Sequence, residues 1–448
     1  MNDKATRIDL FSFSTPQMRA FHMTWLAFFV CFFAWFAVAP LMPVIRADLK
    51  LTPDQIANIG IAAVGITIVL RAVIGPLCDR YGPRMVYTWL LGLGAVPVIG
   101  IAFAHDYMTF LIFRLAIGAI GASFVVTQFH TSVMFAPNVV GTANATVGGW
   151  GNAGGGVTQS VMPYIFAMIV GTGVSQFMGW RVAMVVPGVS MLVMAVLYWT
   201  LTQDTPNGNI RELRRRGISV DSDKRSGAAV FARAAANYRT WILAAAYAAS
   251  FGLELFIHGN AIIYFVDHYK LDTESAGLAV GAFGLLALFA RALGGIASDR
   301  VAGRFGLQGR SVLLAVVMAG EGMGLLGFYE MGSVGPAIAM MLVFGLFTHM
   351  SCGAVYALSP FIDRKALGGV SGIIGAGGNV GGVLAGFLLK WTGSLPQSLF
   401  VLGWIVLAIA GCVLAVRFSL SKTAEEQALY DEAVARRYAA SSGLATAS

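Results

Sequence analysis

Residues 71–80 read RAVIGPLCDR, and residues 291–300 read RALGGIASDR. In each stretch an arginine stands inside an apolar segment, and an Asp-Arg pair follows it at the end of the stretch. The two stretches are 220 residues apart. A second pair, GTANATVGGWGNAGG from Gly141 and GGVSGIIGAGGNVGG from Gly368, is 227 residues apart. The chain therefore contains an internal repeat of roughly half its length.

The composition indicates an integral membrane protein. Of the 448 residues, 57% are hydrophobic and 12% are charged, whereas a soluble domain carries about 25% charged residues. The apolar residues form blocks of about the 20 residues that cross a bilayer. Numbered in chain order, the predicted spans 1–12 are approximately 21–43, 56–78, 85–104, 108–133, 141–170, 178–201, 239–266, 275–298, 311–330, 335–359, 367–390 and 396–418.

The positive charge follows this topology. The loops and tails on the side of both chain ends hold 22 of the 30 Lys and Arg residues. The opposite loops hold Arg46, Lys50, Arg181, Lys270 and Lys390. Cytoplasmic loops carry such an excess, so both termini are predicted to be cytoplasmic. The net charge of +8 is thus explained without a nucleic-acid partner.

The long hydrophilic interruption at residues 202–238 separates six spans from six. We expect six-helix bundles at 1–202 and 239–420, a cytoplasmic linker at 203–238 and a cytoplasmic tail at 421–448. Repeats of six spans that start on the same side are parallel repeats about an axis along the membrane normal. This all-α architecture places a substrate site near the midplane, between the halves.

Two of the three arginines inside spans mark that site. Arg71 and Arg291 each lie about 12 Å from the end of their span, at 1.5 Å rise per residue, where an unpaired charge is costly. Because the repeat relates them, they predict an anion site rather than two separate buried ion pairs. A guanidinium offers a planar fork of donors, which fits a small planar oxyanion. Arg114 has no counterpart, because Met341 occupies the position that the repeat relates to it. For Arg114 a structural buried pair and a coupling role both stay open.

The Gly-Asn runs predict helices rather than phosphate loops, because no Gly-Lys-Ser or Gly-Lys-Thr closes them. Their small residues recur at helical spacing, which lets membrane helices approach closely. Gly148, Gly155, Gly375 and Gly382 are predicted to serve this packing. Packing does not explain Asn152 and Asn379, which stand at matching places. Each amide is predicted to bond a neighbouring backbone or to bind an anion.

Several of these motifs resemble a known family. GPLCDRYGPR at 75–84 resembles the loop motif of the major facilitator superfamily, and the Gly-Asn runs resemble the paired nitrate signatures of its nitrate/nitrite porters. RLAIGAIGASFVVTQFHTSVMF in span 4 and SFGLEL in span 7 are most similar to the proton-coupled branch, which includes NarK-type symporters. The resemblance implies nitrate as the anion and Phe124 as a ring that stacks on it.

Coupling is expected to involve Glu254 in span 7, since an intramembrane carboxyl suggests a functional role. His258 and Glu321 are weaker candidates, and Asp79-Arg80 and Asp299-Arg300 are expected to form gating contacts. We therefore expect nitrate import with protons across a bacterial cytoplasmic membrane, by a monomeric unit without cofactor or metal. Nitrate/nitrite exchange and a transporter-like nitrate sensor are the alternatives. The sequence shows no motif of an enzyme.

Overall fold

The computed structural model of the protein describes residues 4–5, 7–135, 140–216, 227–363, 366–419 and 423–424. The predicted spans correspond to long helices, and their numbers are kept. In the first six spans the helices are Pro16–Phe36 with Met42–Leu49, Pro53–Tyr81, Pro83–Gly100, Tyr107–Gly118 with Ser123–Met134, Val140–Gly171, and Gln176–Ala183 with Val185–Leu201.

In the last six spans the helices are Tyr238–Tyr269, Thr273–Leu285, Ala287–Tyr329, Val334–Leu358, Leu367–Thr392 and Leu395–Val413. Ala287–Tyr329 completes span 8 and contains span 9, with a backbone break at Gly306, where φ is 67°. Two short helices, Ile210–Arg215 and Gly227–Ala235, lie in the predicted linker. Within the described ranges, twelve helices are long and apolar enough to cross a membrane.

Successive spans alternate in direction, so the connections fall on two faces. The face that holds residues 202–216 and 227–238 is called the linker face, and the opposite one the far face. The tail predicted at 421–448 lies outside the described residues except for 423–424.

The repeat extends to the caps on the far face. Thr52 and Gln55 form a capping box at the start of span 2, and Asp272 accepts from the Ser275 amide at the start of span 8, over 2.7 Å. Such caps satisfy amide groups that the first helical turn leaves free. The preceding helices end at Lys50 and Lys270, whose φ values are 52° and 57°. These left-handed lysines share the 220-residue offset of the two arginines.

Spans 5 and 8 pack across the interface between the first and last six spans, and so do spans 2 and 11. Spans 5 and 8 approach closely towards the far face, where a Cβ on Gly277 would collide with the backbone oxygen of Gln159. Arg46 pairs with Asp267 on the same face, with one of its two hydrogen bonds at 2.7 Å. Lys390 donates to Asn58 over 3.1 Å. The two sets of spans are therefore held together at the far face.

Candidate anion-binding site

Arg71 reaches from span 2 across the interface to span 11. Its Nη1 donates to the carbonyl of Gly375 over 2.9 Å, and its Nη2 makes a longer bond of 3.4 Å to Gly121. The Arg71 Nε has no partner, and no acidic residue pairs with Arg71 in the described part of the chain. Its positive charge is therefore uncompensated by any described carboxylate.

Arg291 has a different environment in span 8. Its Nη2 donates to Glu254 Oε2 over 2.5 Å, and the two side chains are 12% and 2% exposed. His349 Nδ1 lies 3.5 Å from the same carboxylate oxygen, while His349 Nε2 lies 3.1 Å from the Phe283 carbonyl. Glu254 thus compensates the charge of Arg291 in the described structure.

A chain of aromatic rings connects the two arginines. The guanidinium of Arg71 lies 5.2 Å from the ring centre of Phe124, and that of Arg291 lies 5.8 Å from the ring centre of Phe251. Between them the ring centres of Phe124 and Tyr356 are 6.3 Å apart, those of Tyr356 and Tyr247 are 5.1 Å apart, and Tyr247 stacks on Phe251. The four rings come from both sets of spans.

The structure thus brings three predicted site residues, Arg71, Arg291 and Phe124, into one system with Glu254. Sequence reasoning missed Tyr247, Tyr356 and His349. Phe251 lies in the SFGLEL stretch, but nothing in a single apolar sequence distinguishes ring side chains that face a site from those that face lipid.

The two asparagines bond their own helices. Asn152 Nδ2 donates to the Gly148 carbonyl over 2.8 Å, and Asn379 Nδ2 donates to the Gly375 carbonyl over 3.2 Å. Gly375 is also the acceptor for Arg71, so Asn379 lies beside that arginine. Both amide oxygens are buried without a partner. Each side chain retains a second N–H donor, and only Asn379 shares an acceptor with a site arginine.

The four glycines predicted to serve packing are not the ones at which an added Cβ would lie closest to a neighbouring helix. A Cβ on Gly375 would lie 3.8 Å from Arg71 Nη1, and one on Gly148 would lie 3.6 Å from Gln128, both ordinary contacts. Gly155 and Gly382 are closer, with 3.3 Å to Phe36 and 3.2 Å to Leu255. Other glycines in or next to the same runs lie closer to neighbouring helices. At these positions an added Cβ would stand within 3 Å of backbone atoms of span 1, 7 or 8: Gly154, Gly156, Gly377 and Gly381.

Of the remaining candidates, His258 lies one helical turn after Glu254 and within electrostatic reach of Arg291, and the others have no described contact with the two site arginines. Glu321 is fully buried and accepts hydroxyl bonds from Ser250 over 2.8 Å and Thr348 over 3.1 Å. His258 is buried against the rings of Phe36 and Phe283. Arg80 and Arg300 are exposed on the linker face, and the Arg80 carbonyl accepts from Arg214 over 2.7 Å. The side chains of Asp79 and Asp299 lie outside the described part.

The arrangement suits binding of a small anion and its exchange between two faces. It holds one arginine without a described carboxylate partner, one arginine paired with Glu254, and flat rings between them.

Comparison with known proteins identifies the family and several related transporters. The family model described as Major Facilitator Superfamily matches residues 24–362. High affinity nitrate transporter 2.5 of Arabidopsis thaliana is 41% identical over 382 residues, covering 85% of this chain and 76% of the relative. Nitrate/nitrite transporter NrtP of Nostoc punctiforme is 30% identical over 447 residues, covering 84% of this chain and 87% of the relative.

Solved structures show the same fold at low sequence identity. A bacterial homolog of the human lysosomal transporter Spinster, in an inward-facing and occupied conformation, superposes with a TM-score of 0.69 at 14% identity, covering 90% of this chain and 97% of that one. The nucleoside transporter NupG superposes with a TM-score of 0.64 at 12% identity, covering 88% of this chain and 99% of that one.

Proposed function

The chain belongs to the Major Facilitator Superfamily, and we propose that it imports nitrate by alternating access, taking up a proton with each anion. The observation that carries the proposal is the pairing of Arg291 with Glu254 beside an uncompensated Arg71. Relatives that are named as nitrate transporters, with up to 41% identity, supply the identity of the anion.

Nitrate is proposed to bind between Arg71 and Arg291. A planar anion accepts parallel bonds from a guanidinium fork, and Arg71 has a free Nε on its fork. Phe124 stands beneath this guanidinium and offers a flat surface to the anion. Asn379, which shares the Gly375 carbonyl with Arg71, provides a further N–H at the same place.

The proton is proposed to bind at Glu254. When Glu254 is ionised, it neutralises Arg291, and the empty site keeps the single charge of Arg71. Protonation of Glu254 releases Arg291, so the site gains a positive charge and attracts nitrate. Proton and anion therefore favour each other's binding, and this coupling is reciprocal. With both bound, the site has the same net charge as when it is empty, which lets the carrier return without cargo.

The orientation of the protein in the membrane is proposed from its charge distribution. The loops on the linker face are rich in Lys and Arg, so we place that face in the cytoplasm of a bacterial cell. The described conformation is closed at the far face by Arg46 with Asp267 and by Lys390 with Asn58. These contacts must break for nitrate to enter from outside.

The test is nitrate uptake into proteoliposomes of the purified protein, with either an imposed pH gradient or internal nitrite. Symport predicts uptake that follows the pH gradient without internal anion. Uptake only against internal nitrite would show exchange, and nitrate binding without flux would indicate a sensor. Glu254→Gln should abolish the response to the pH gradient, and Glu321→Gln, which changes a buried carboxyl without a described basic partner, is the matched control.

A further inference from the structure

Arg114 is a third buried arginine, and the proposed function does not use it. It lies in span 4, is 3% exposed, and donates through Nη1 to the Trp35 carbonyl over 2.6 Å. Its Nε has no partner, and no carboxylate among the described side chains pairs with it. One hydrogen bond thus satisfies a group that has five N–H donors.

The bond to Trp35 is a structural role, but it does not account for an arginine at this position. Trp35 lies in the last turn of the helix Pro16–Phe36, where carbonyls lack helical partners and attract cations. In the other repeat the related position is Met341, which is 1% exposed. The fold therefore accommodates an apolar side chain there, and the extra charge of Arg114 requires another explanation.

Arg114 borders an enclosed space between the two sets of spans. The cavity has a volume of about 30 Å³ and is lined by Arg114 from span 4, Asn260 from span 7 and mainly apolar residues of spans 1, 2 and 11. Asn260 is 8% exposed and uses one N–H on the Phe256 carbonyl. The part of the cavity lining that belongs to span 2 runs from Ile56 to Val64. At 1.5 Å rise per residue, the cavity therefore lies about 10 Å or more from Arg71, towards the far face.

We infer that Arg114, together with Asn260 of the same cavity lining, forms a capture site that transiently binds a small monovalent oxyanion after it enters from the far face. The cavity lies between the Arg46–Asp267 contact and the central arginines. With the far face closed, the cavity has room for only one or two water molecules. Closure of the far face therefore leaves no space for the anion in the cavity, and the anion moves on to Arg71 and Arg291. This inference rests on the proposed function and adds a second, transient site to it.

The inference predicts a defect that depends on the face from which nitrate arrives. We would measure the half-saturating nitrate concentration on each face separately, by exchange in proteoliposomes with the opposite side saturated. Arg114→Met, which places the residue of the related position, should raise the far-face value about tenfold or more, as expected when focused charge is lost. The linker-face value should stay close to that of the unchanged protein.

Two further measurements separate this site from a structural role. The far-face initial rate should fall steeply with ionic strength in the unchanged protein and weakly in Arg114→Met. Arg114→Lys should keep most of this salt dependence, because it retains the charge, and it also serves if Arg114→Met does not fold. Equal changes on both faces, or unchanged far-face kinetics in both variants, would overturn the inference. Absence of nitrate flux in the unchanged protein would instead refute the proposed function.

Discussion

Replacing Glu254 with glutamine should make the protein bind nitrate more tightly while it loses the ability to use a proton gradient. The carboxylate is the one described acidic partner of Arg291, at 2.5 Å, and it competes with the anion for that guanidinium. Glutamine keeps the shape of the side chain and removes its charge. The variant therefore mimics the protonated form of the carrier at every pH.

The size of the effect follows from the geometry of the pair. Opposite unit charges about 4 Å apart attract by roughly 4 kcal/mol at an effective dielectric constant of about 20. The glutamine amide and relaxation of the site recover part of this energy. We expect a net gain of about 1.4 to 3 kcal/mol in binding, which lowers the dissociation constant of nitrate roughly 10- to 150-fold.

The assay is nitrate binding to purified protein across a pH series. In the unchanged protein, affinity should rise as the pH falls, because protonation of Glu254 frees Arg291. In Glu254→Gln the affinity should be high and nearly independent of pH. The variant without nitrate should unfold at a lower temperature, since it leaves a buried charge unpaired, and nitrate should restore its stability.

Two outcomes would refute this reasoning. Weaker nitrate binding in Glu254→Gln would mean that the carboxylate organises the site instead of competing with the anion. Binding that keeps the original pH dependence would mean that the proton binds elsewhere. Glu321→Gln decides between sites, because loss of pH dependence in that variant would assign the proton to the buried carboxyl that accepts bonds from Ser250 and Thr348.

Three other predictions follow from the same structure. Arg71→Lys or Arg291→Lys keeps a charge but loses the planar fork, so each should abolish measurable nitrate uptake while the protein still elutes as a folded species; near-normal uptake in either variant would contradict the site. Gly381→Ala should lower the melting temperature, because its Cβ would collide with the backbone at Ala248, whereas a Cβ on Gly372 meets nothing within 4 Å and Gly372→Ala should leave it unchanged. Burial raises the pKa of Asp204, so the folded protein binds this proton more tightly than the unfolded chain and loses stability as the pH rises through that range; Asp204→Asn should flatten the acidic part of the stability profile measured by thermal unfolding.

The twelve spans and the repeat could be predicted from the sequence, because span length and hydropathy are set by the bilayer. The sequence also predicts that Arg71 and Arg291 belong to one anion site, because a charged side chain inside a span is costly, and this assignment remains a proposal. The sequence could not predict that the two arginines differ in their acidic partners. Arg71 and Arg291 occupy related positions, yet Glu254 pairs with only one of them, because span 7 and span 8 meet at a place that no local pattern specifies.

The glycine runs show the same limit. Helical spacing predicts one small-residue face, but each run has several such faces. Contacts with spans 1, 7 and 8 make the glycines next to the predicted ones the closest, and this depends on how the helices are rotated. The amides of Asn152 and Asn379 bond carbonyls one turn earlier in the same helix, which was one of the two outcomes that the sequence left open.

The row of rings from Phe124 to Phe251 has a consequence for which anions can pass. The rings of Phe124 and Phe251 offer no N–H or O–H donor, so only a few polar groups, such as the tyrosine hydroxyls, can replace the water that an entering anion leaves behind. Sulfate and phosphate bind their water strongly, so they would lose more on entering this site than two guanidinium groups return. Nitrate, with one charge spread over three oxygens, gives up its water readily. We therefore expect the proposed site to discriminate by the cost of dehydration, so that an anion as weakly hydrated as nitrate should compete even when its shape differs.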